Sequence, residues 1–197
     1  AQLVATDSAP QMLERARRRA IPRTEFKLMD AANPTVEGPF DVVCGNLVMQ
    51  WLEQPEQVME RLGGLLAPGG VLAVSTLLDG TFAEWKAACA SEGVQPATPH
   101  YPQAGQIQAW TPWLFAGLWE SESCVQAFGS GLEFVRHLKA TGASVPQAGR
   151  KPMGAVALRR VARRLDHSGA AITWQLAYGC FRKPPVAGVF VTGTDTG

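Results

Sequence analysis

The sequence predicts an α/β fold built on a parallel sheet, and three observations predict it. Short β-prone apolar runs alternate with amphipathic stretches from residue 3 to residue 77. Phe40 to Gly45 and Val71 to Leu77 are nearly continuous apolar runs, as in parallel strands covered on both faces. Asp7, Asp30 and Asn46 each stand where such a run ends, and doubly wound sheets hold ligands beyond the carboxyl ends of their strands.

The elements follow in order. Leu3-Val4-Ala5 is a strand leading to Asp7. Ser8 to Gln11 has the spacing of a capping box, with Pro10 in the first turn. The helix it opens turns Met12, Leu13 and Ala16 inward and Arg15, Arg18 and Arg19 outward. Thr24 to Met29 is a second strand, ending at Asp30, and Ala31 to Pro39 is a loop of small residues and prolines. After the Phe40 strand, Pro55 opens a helix whose buried stripe is Val58, Met59, Leu62, Leu65 and Leu66. Pro68-Gly69-Gly70 stops that helix and turns the chain into the Val71 strand. The stretch from Gly80 to Leu118 breaks the alternation and reads as helices over the sheet's carboxyl edge, with Trp85, Trp110 and Trp113. A strand over Trp119 to Phe128 follows, then a second capping box at Ser130 to Glu133. It opens a helix through Leu132, Val135 and Leu138 that ends at Gly142. Met153 to His167 is a further amphipathic helix and Ile172 to Phe181 a last strand.

Composition narrows the function classes. With 46% hydrophobic and 18% charged residues the chain buries a core. A formal net charge of +1 argues against nucleic-acid binding through bulk charge, and no apolar run has the length of a membrane span. Cys44, Cys89, Cys124 and Cys180 lack CxxC spacing and sit in apolar contexts, so they read as reduced, buried thiols of a cytoplasmic protein. His100, His137 and His167 are scattered, and no metal site is expected.

The strand ends carry the chemistry. A carboxylate at Asp7 can accept from both hydroxyls of a ribose, or it can cap the helix beginning at Ser8. Asp30 can accept from an exocyclic adenine amine beside the backbone of Ala31, or it can close a turn on its own backbone. Asn46 and Leu47 lead out of the central strand, and Gln50 and Trp51 follow one turn later, as pocket wall or as core. Arg136 and Lys139 share a helix face and suit a carboxylate or a phosphate, or they are a solvated face. Arg159, Arg160, Arg163 and Arg164 make a basic stripe on the next helix. No residue stands out as a nucleophile or general base, so the catalytic residues are unassigned.

Three runs carry a resemblance. Asn46-Leu47-Val48-Met49-Gln50-Trp51, Ser75 to Phe82, and Arg136-His137-Leu138-Lys139-Ala140-Thr141-Gly142-Ala143 resemble the malonyl-acyl-carrier-protein O-methyltransferases of biotin synthesis. Thr173 to Gly179 fits that family's last strand. The resemblance covers residues 1–183 and implies a class I, Rossmann-like methyltransferase sheet with S-adenosyl-L-methionine as cofactor. It places Asp7, Ser8, Asp30, Ala31, Asn46 and Leu47 at the cofactor. It places Gln50, Trp51, Arg136 and Lys139 at the substrate, the free carboxylate of a malonyl group on acyl carrier protein. Neither nucleic acid nor membrane is expected as a partner. Methyl transfer to a carboxylate fits the lack of a general base: the acceptor is already an anion, and alignment and dryness are what the protein supplies.

The pattern also departs from the family. The glycine-rich first strand-turn expected before Asp7 is absent, so the sheet is expected to lack its first strand and to leave a gap beside Phe40 to Gly45. After a linker at 184–188, residues 189–197 resemble the phosphate-binding loop of a dethiobiotin synthetase cut before its lysine. The sequence is therefore expected to be an internal piece of a longer bifunctional protein, inactive by itself. Two other readings stay open: another small-molecule class I methyltransferase, and a non-catalytic α/β docking module.

Overall fold

The computed structural model describes residues 1–96, 98–140 and 153–185. The first unit is β1 (Leu3–Asp7), α1 (Pro10–Arg17) and β2 (Thr24–Leu28), with the two strands parallel and in register from Leu3 opposite Thr24 to Asp7 opposite Leu28. Leu13 is the buried residue of α1, flanked by half-buried Met12 and Ala16, which is the face the sequence predicts. The remaining strands form a separate four-stranded sheet in the order β3-β4-β6-β5, built from β3 (Phe40–Gly45), β4 (Leu66–Leu77), β5 (Ala116–Ala127) and β6 (Ala171–Arg182). β3 and β4 run parallel, whereas β6 runs antiparallel to both β4 and β5. The sheet is thus mixed, not wholly parallel; β5 and β6 alternate in pattern like any half-covered strand, and pattern does not record direction.

Two apolar clusters cover the two faces of this sheet. On one face α2 (Pro55–Gly64) brings Val58, Met59 and Leu62 onto Leu72, Val74, Ala177 and Phe181, together with Ile107 and Trp110. On the other, α3 (Ala83–Ser91), α4 (Gly131–Ala140) and α5 (Ala155–His167) bring Trp85, Phe134, Val161 and Leu165 onto Leu77 and Ile172. The period-two alternation of strand side chains sends Leu72 and Leu77 of one strand to opposite clusters.

Several expectations need correcting. α2 ends at Gly64, and Leu66 is already strand. Pro68-Gly69-Gly70 lies inside β4 rather than between helix and strand, where Gly69 takes φ +77° and the β3–β4 register shifts between Phe40 and Val42. Lys183 ends the helix instead: its Nζ donates to the carbonyls of Gly63, Gly64 and Leu66. β3 is not covered on both faces. Val42 is 58% exposed and Cys44, two residues on and so on the same face, is exposed too; among the described residues β3 also pairs along one edge only. The thiols follow suit: Cys44, Cys124 and Cys180 are exposed and only Cys89 is buried. In α4 the inward residues are Phe134 and Val135, while Leu132 is 38% exposed. The second capping box forms in altered shape. Ser130 Oγ accepts from the Glu133 N–H, and Glu133 reaches back to the N–H of Gly129 rather than to that of Ser130. Residues 141–143 and 186–197, the end of the run from Arg136 to Ala143 and the expected phosphate loop, lie outside the described residues.

Candidate functional site

Asp7 stands at the carboxyl end of β1, half-buried, and its Oδ1 accepts from the backbone N–H of Ala9 at 2.8 Å. The capping box at Ser8 does not form. Pro10 occupies the first helical position, so the residue before it, Ala9, is the cap; it takes the extended conformation that a following proline favours and has no side-chain cap bond. Ser8 is exposed. One oxygen of Asp7 therefore closes the strand-to-helix turn, and among the described residues the other accepts no hydrogen bond.

Asp30 repeats the arrangement one strand over. It is exposed, and its Oδ1 accepts from the N–H of Ala32 at 2.9 Å, the turn-closing geometry weighed from sequence. Arg61 of α2 secures this loop by donating to the carbonyl of Ala32 and to Asn33 Oδ1. The half-buried Ala31 and Ala32 thereby lie between β2 and α2.

The turn after β3 is the most tightly specified part of the edge. Parallel register sets Gly45 opposite Val74, so Asn46 comes level with Ser75. Ser75, 4% exposed, donates its hydroxyl proton to Asn46 Oδ1 at 2.6 Å and accepts from the N–H of Leu47 at 2.9 Å. Leu47 has φ +52°, a conformation that costs a branched apolar residue energy and needs outside support. That support comes from both sides, because Gln50 Nε2 donates to the Leu47 carbonyl at 2.7 Å. Leu47 also packs against the cluster that holds Phe134 and Val135 of α4.

Gln50 sits in the short 3-10 turn Met49–Trp51 and faces a cleft of about 260 Å³. Glu53, Glu56, His100, Gln106 and Trp110 line the cleft with it. Trp51 is 41% exposed and so is not core. Neither Trp51, Arg136 nor Lys139 lines the cleft. Arg136 and Lys139 lie on the exposed side of α4, and Arg159, Arg163 and Arg164 are exposed on the adjacent α5, where Arg160 pairs with Glu92 at 3.1 Å. The structure therefore brings Asn46, Leu47 and Gln50 together and keeps the basic pair apart from them. Sequence reasoning missed Ser75 and the acidic cleft residues. The one available signal for Ser75 was a hydroxyl pair, Ser75-Thr76, at the end of an otherwise apolar strand. Among the described residues no group of three His, Cys, Asp or Glu is placed to hold a metal, and no helix is long and apolar enough to cross a membrane.

Residues 1–72 match the family model described as a methyltransferase domain. The chain is 42% identical over 193 residues to the biotin biosynthesis bifunctional protein BioCD of Bordetella avium (strain 197N), covering 98% of the chain and 40% of that protein. It is 34% identical over 161 residues to the malonyl-[acyl-carrier protein] O-methyltransferase of Magnetococcus marinus, covering 81% of the chain and 60% of that protein. The chain thus spans less than two thirds of the length of either relative. Among solved structures, a candidate methyltransferase of Bacillus halodurans C-125 superposes with a TM-score of 0.62 at 12% identity, over 93% of this chain and 84% of that one. The fold is that of the class I methyltransferases, residues 1–72 match a methyltransferase domain, and along most of its length the chain is similar to the BioCD and malonyl-[acyl-carrier protein] O-methyltransferase proteins.

Proposed function

We propose that the chain binds S-adenosyl-L-methionine along the carboxyl edge of β1, β2 and β3 and serves methyl transfer to the free carboxylate of a malonyl group on acyl carrier protein. The observation that carries the reading is the ordered set Asp7, Asp30 and Asn46 on three successive strand ends, in a chain 42% identical to a biotin-synthesis protein. Asp7 and Asp30 each keep one carboxylate oxygen for their turn and offer the other to a ribose and to an adenine amine. The cofactor supplies an electrophilic methyl on a sulfonium. The protein aligns an acceptor that is already anionic, and it needs no general base to do so.

Arg136 and Lys139 are proposed to meet the carrier side of the substrate. Their exposed position, next to the exposed arginines of α5, supports contact with the phosphate of the pantetheine arm or with an acidic carrier rather than with a carboxylate inside the cleft. The cleft beside Gln50 carries two carboxylates, Glu53 and Glu56, which would repel a malonyl carboxylate placed against them. The test uses the protein as its gene encodes it, with S-adenosylmethionine and malonyl-carrier protein, read by mass spectrometry of the carrier. The reading expects one added methyl, lost on mild ester hydrolysis. Cofactor binding without any methyl transfer to the carrier would refute the substrate assignment.

A further inference from the structure

We infer that Ser75 is a positioning residue that makes the Asn46 side chain a one-sided hydrogen-bond donor toward the amino-acid end of the cofactor. The inference rests on the cofactor reading above and goes beyond it. An asparagine amide can donate or accept, and at an exposed strand end nothing local decides which end faces a ligand. Here Ser75 decides. Its single hydroxyl proton goes to Asn46 Oδ1, while its oxygen accepts from the Leu47 N–H. The amide oxygen is thereby tied to β4 with one lone pair engaged, and the Nδ2 protons, on the other side of the amide, are its free hydrogen-bonding group. Ser75 is itself buried at 4% exposure in β4, a strand held on both edges by β3 and β6, so the hydroxyl is a fixed reference point.

The same hydroxyl keeps Leu47 in its left-handed conformation, with Gln50 holding the carbonyl side. Rotation of Asn46 and relaxation of the Leu47 turn are therefore coupled through one oxygen atom. A donor at the carboxyl edge of β3 suits an acceptor group of the ligand, such as the carboxylate of an amino-acid tail, and gives nothing to a ligand without that tail.

The experiment compares S-adenosylhomocysteine, which has the tail, with 5′-methylthioadenosine, which lacks it, by calorimetry on the protein as encoded. Ser75→Ala is expected to weaken S-adenosylhomocysteine binding about tenfold and to leave methylthioadenosine binding unchanged. Ser75→Thr, which keeps the hydroxyl, restores the affinity. Phe181→Leu, a core change in β6 within the other apolar cluster, destabilises the fold without changing the ratio of the two affinities. Equal loss for both ligands, or no loss for either, overturns the inference. Amide hydrogen exchange at Leu47 provides a reading that needs no ligand. It should accelerate at least tenfold in Ser75→Ala and stay near wild type in Ser75→Thr; unchanged exchange overturns the anchoring. A wild-type protein that binds neither ligand refutes the cofactor reading itself, and exchange then judges the anchoring alone.

Discussion

Glu84 offers the sharpest test of how this fold is closed. β4 pairs with β6 as far as Leu77 opposite Leu176, so among the described residues the stretch Ile172 to Gln175 of β6 has no strand along that edge. The segment after β4 completes it by other means. Leu78 N–H donates to the Gln175 carbonyl, and Phe82 N–H donates to the Thr173 carbonyl, both at 2.8 Å. Thr81 Oγ1 accepts from the Gln175 N–H at 3.0 Å. Glu84, in the first turn of α3, accepts from both the N–H and the hydroxyl of Thr173. Burial pushes the Glu84 carboxyl up, but these bonds outweigh it and hold the group below the ordinary glutamate value of 4.5.

Glu84→Ala removes two hydrogen bonds to a charged acceptor. Such bonds contribute about 1.5–3 kcal/mol each, so two at the low end come to about 3 kcal/mol; water competes at this half-buried site and reduces the cost to about 2 kcal/mol. With a urea slope of about 2 kcal/mol per molar, the unfolding midpoint falls by about 1 M. Glu84→Gln keeps one acceptor and loses about half as much. The pH dependence has a definite sign. The folded-state pKa is depressed, so the charged carboxylate stabilises the protein above pH 4.5, and the stabilisation fades as pH falls through the folded pKa. The gap between wild type and Glu84→Gln should be full at pH 7 and close on acidification below pH 4.5. A midpoint within about 0.5 kcal/mol of wild type for Glu84→Ala, or a gap unchanged by acid, would refute the reasoning.

Other outcomes follow from the same geometry. Alkylation of the native protein followed by mass spectrometry should label Cys44, Cys124 and Cys180 quickly and Cys89 only on unfolding, since burial pushes the Cys89 thiol up to about 11. Gly131→Ala should cost more than about 2 kcal/mol in chemical denaturation, because an added Cβ would come within 2.5 Å of the Ala162 carbonyl oxygen and force α4 off α5. Asp7→Ala should weaken S-adenosylhomocysteine binding more than Asp30→Ala by calorimetry, Asp7 being half-buried and Asp30 exposed; equal affinity for wild type and Asp7→Ala removes the ribose role.

The parts of the fold legible in the sequence were those governed by local chemistry. Proline at 10 and 55 set two helix starts, and the apolar spacing of Val58, Met59 and Leu62 fixed a buried face. The failures have non-local causes. Capping at Ser8 lost to Ala9 because Pro10 determines which residue is the cap. Leu66 reads as a continuation of the helical stripe, yet its partner is Phe40 across the sheet, a pairing that no local period encodes. Cys44 and Val42 look like core on composition, and they are exposed because they share the one face of β3 left open, which no local pattern records. Strand direction was equally hidden, so the antiparallel β6 emerged only from the register of Val71 with Arg182.

The candidate site divides along the same line. Asp7 and Asp30 can be found from order alone, since a parallel strand's carboxyl end is a property of topology. Their turn-closing bonds do not compete with a ligand role: each uses one oxygen of a group that has two. The bland and the functional readings posed as alternatives are therefore compatible, and only an affinity measurement separates them. Asn46 is different, because its usefulness depends on a partner 29 residues away. Without Ser75 the amide could turn either end outward and would discriminate little between ligands. With Ser75 the oxygen is held toward β4 and the donors are favoured toward a ligand, so the preference for an acceptor group is set by one buried hydroxyl in the neighbouring strand. The chemistry of that edge is thus written in the pairing of β3 with β4, which is why it became readable only when the register of Gly45 with Val74 was known.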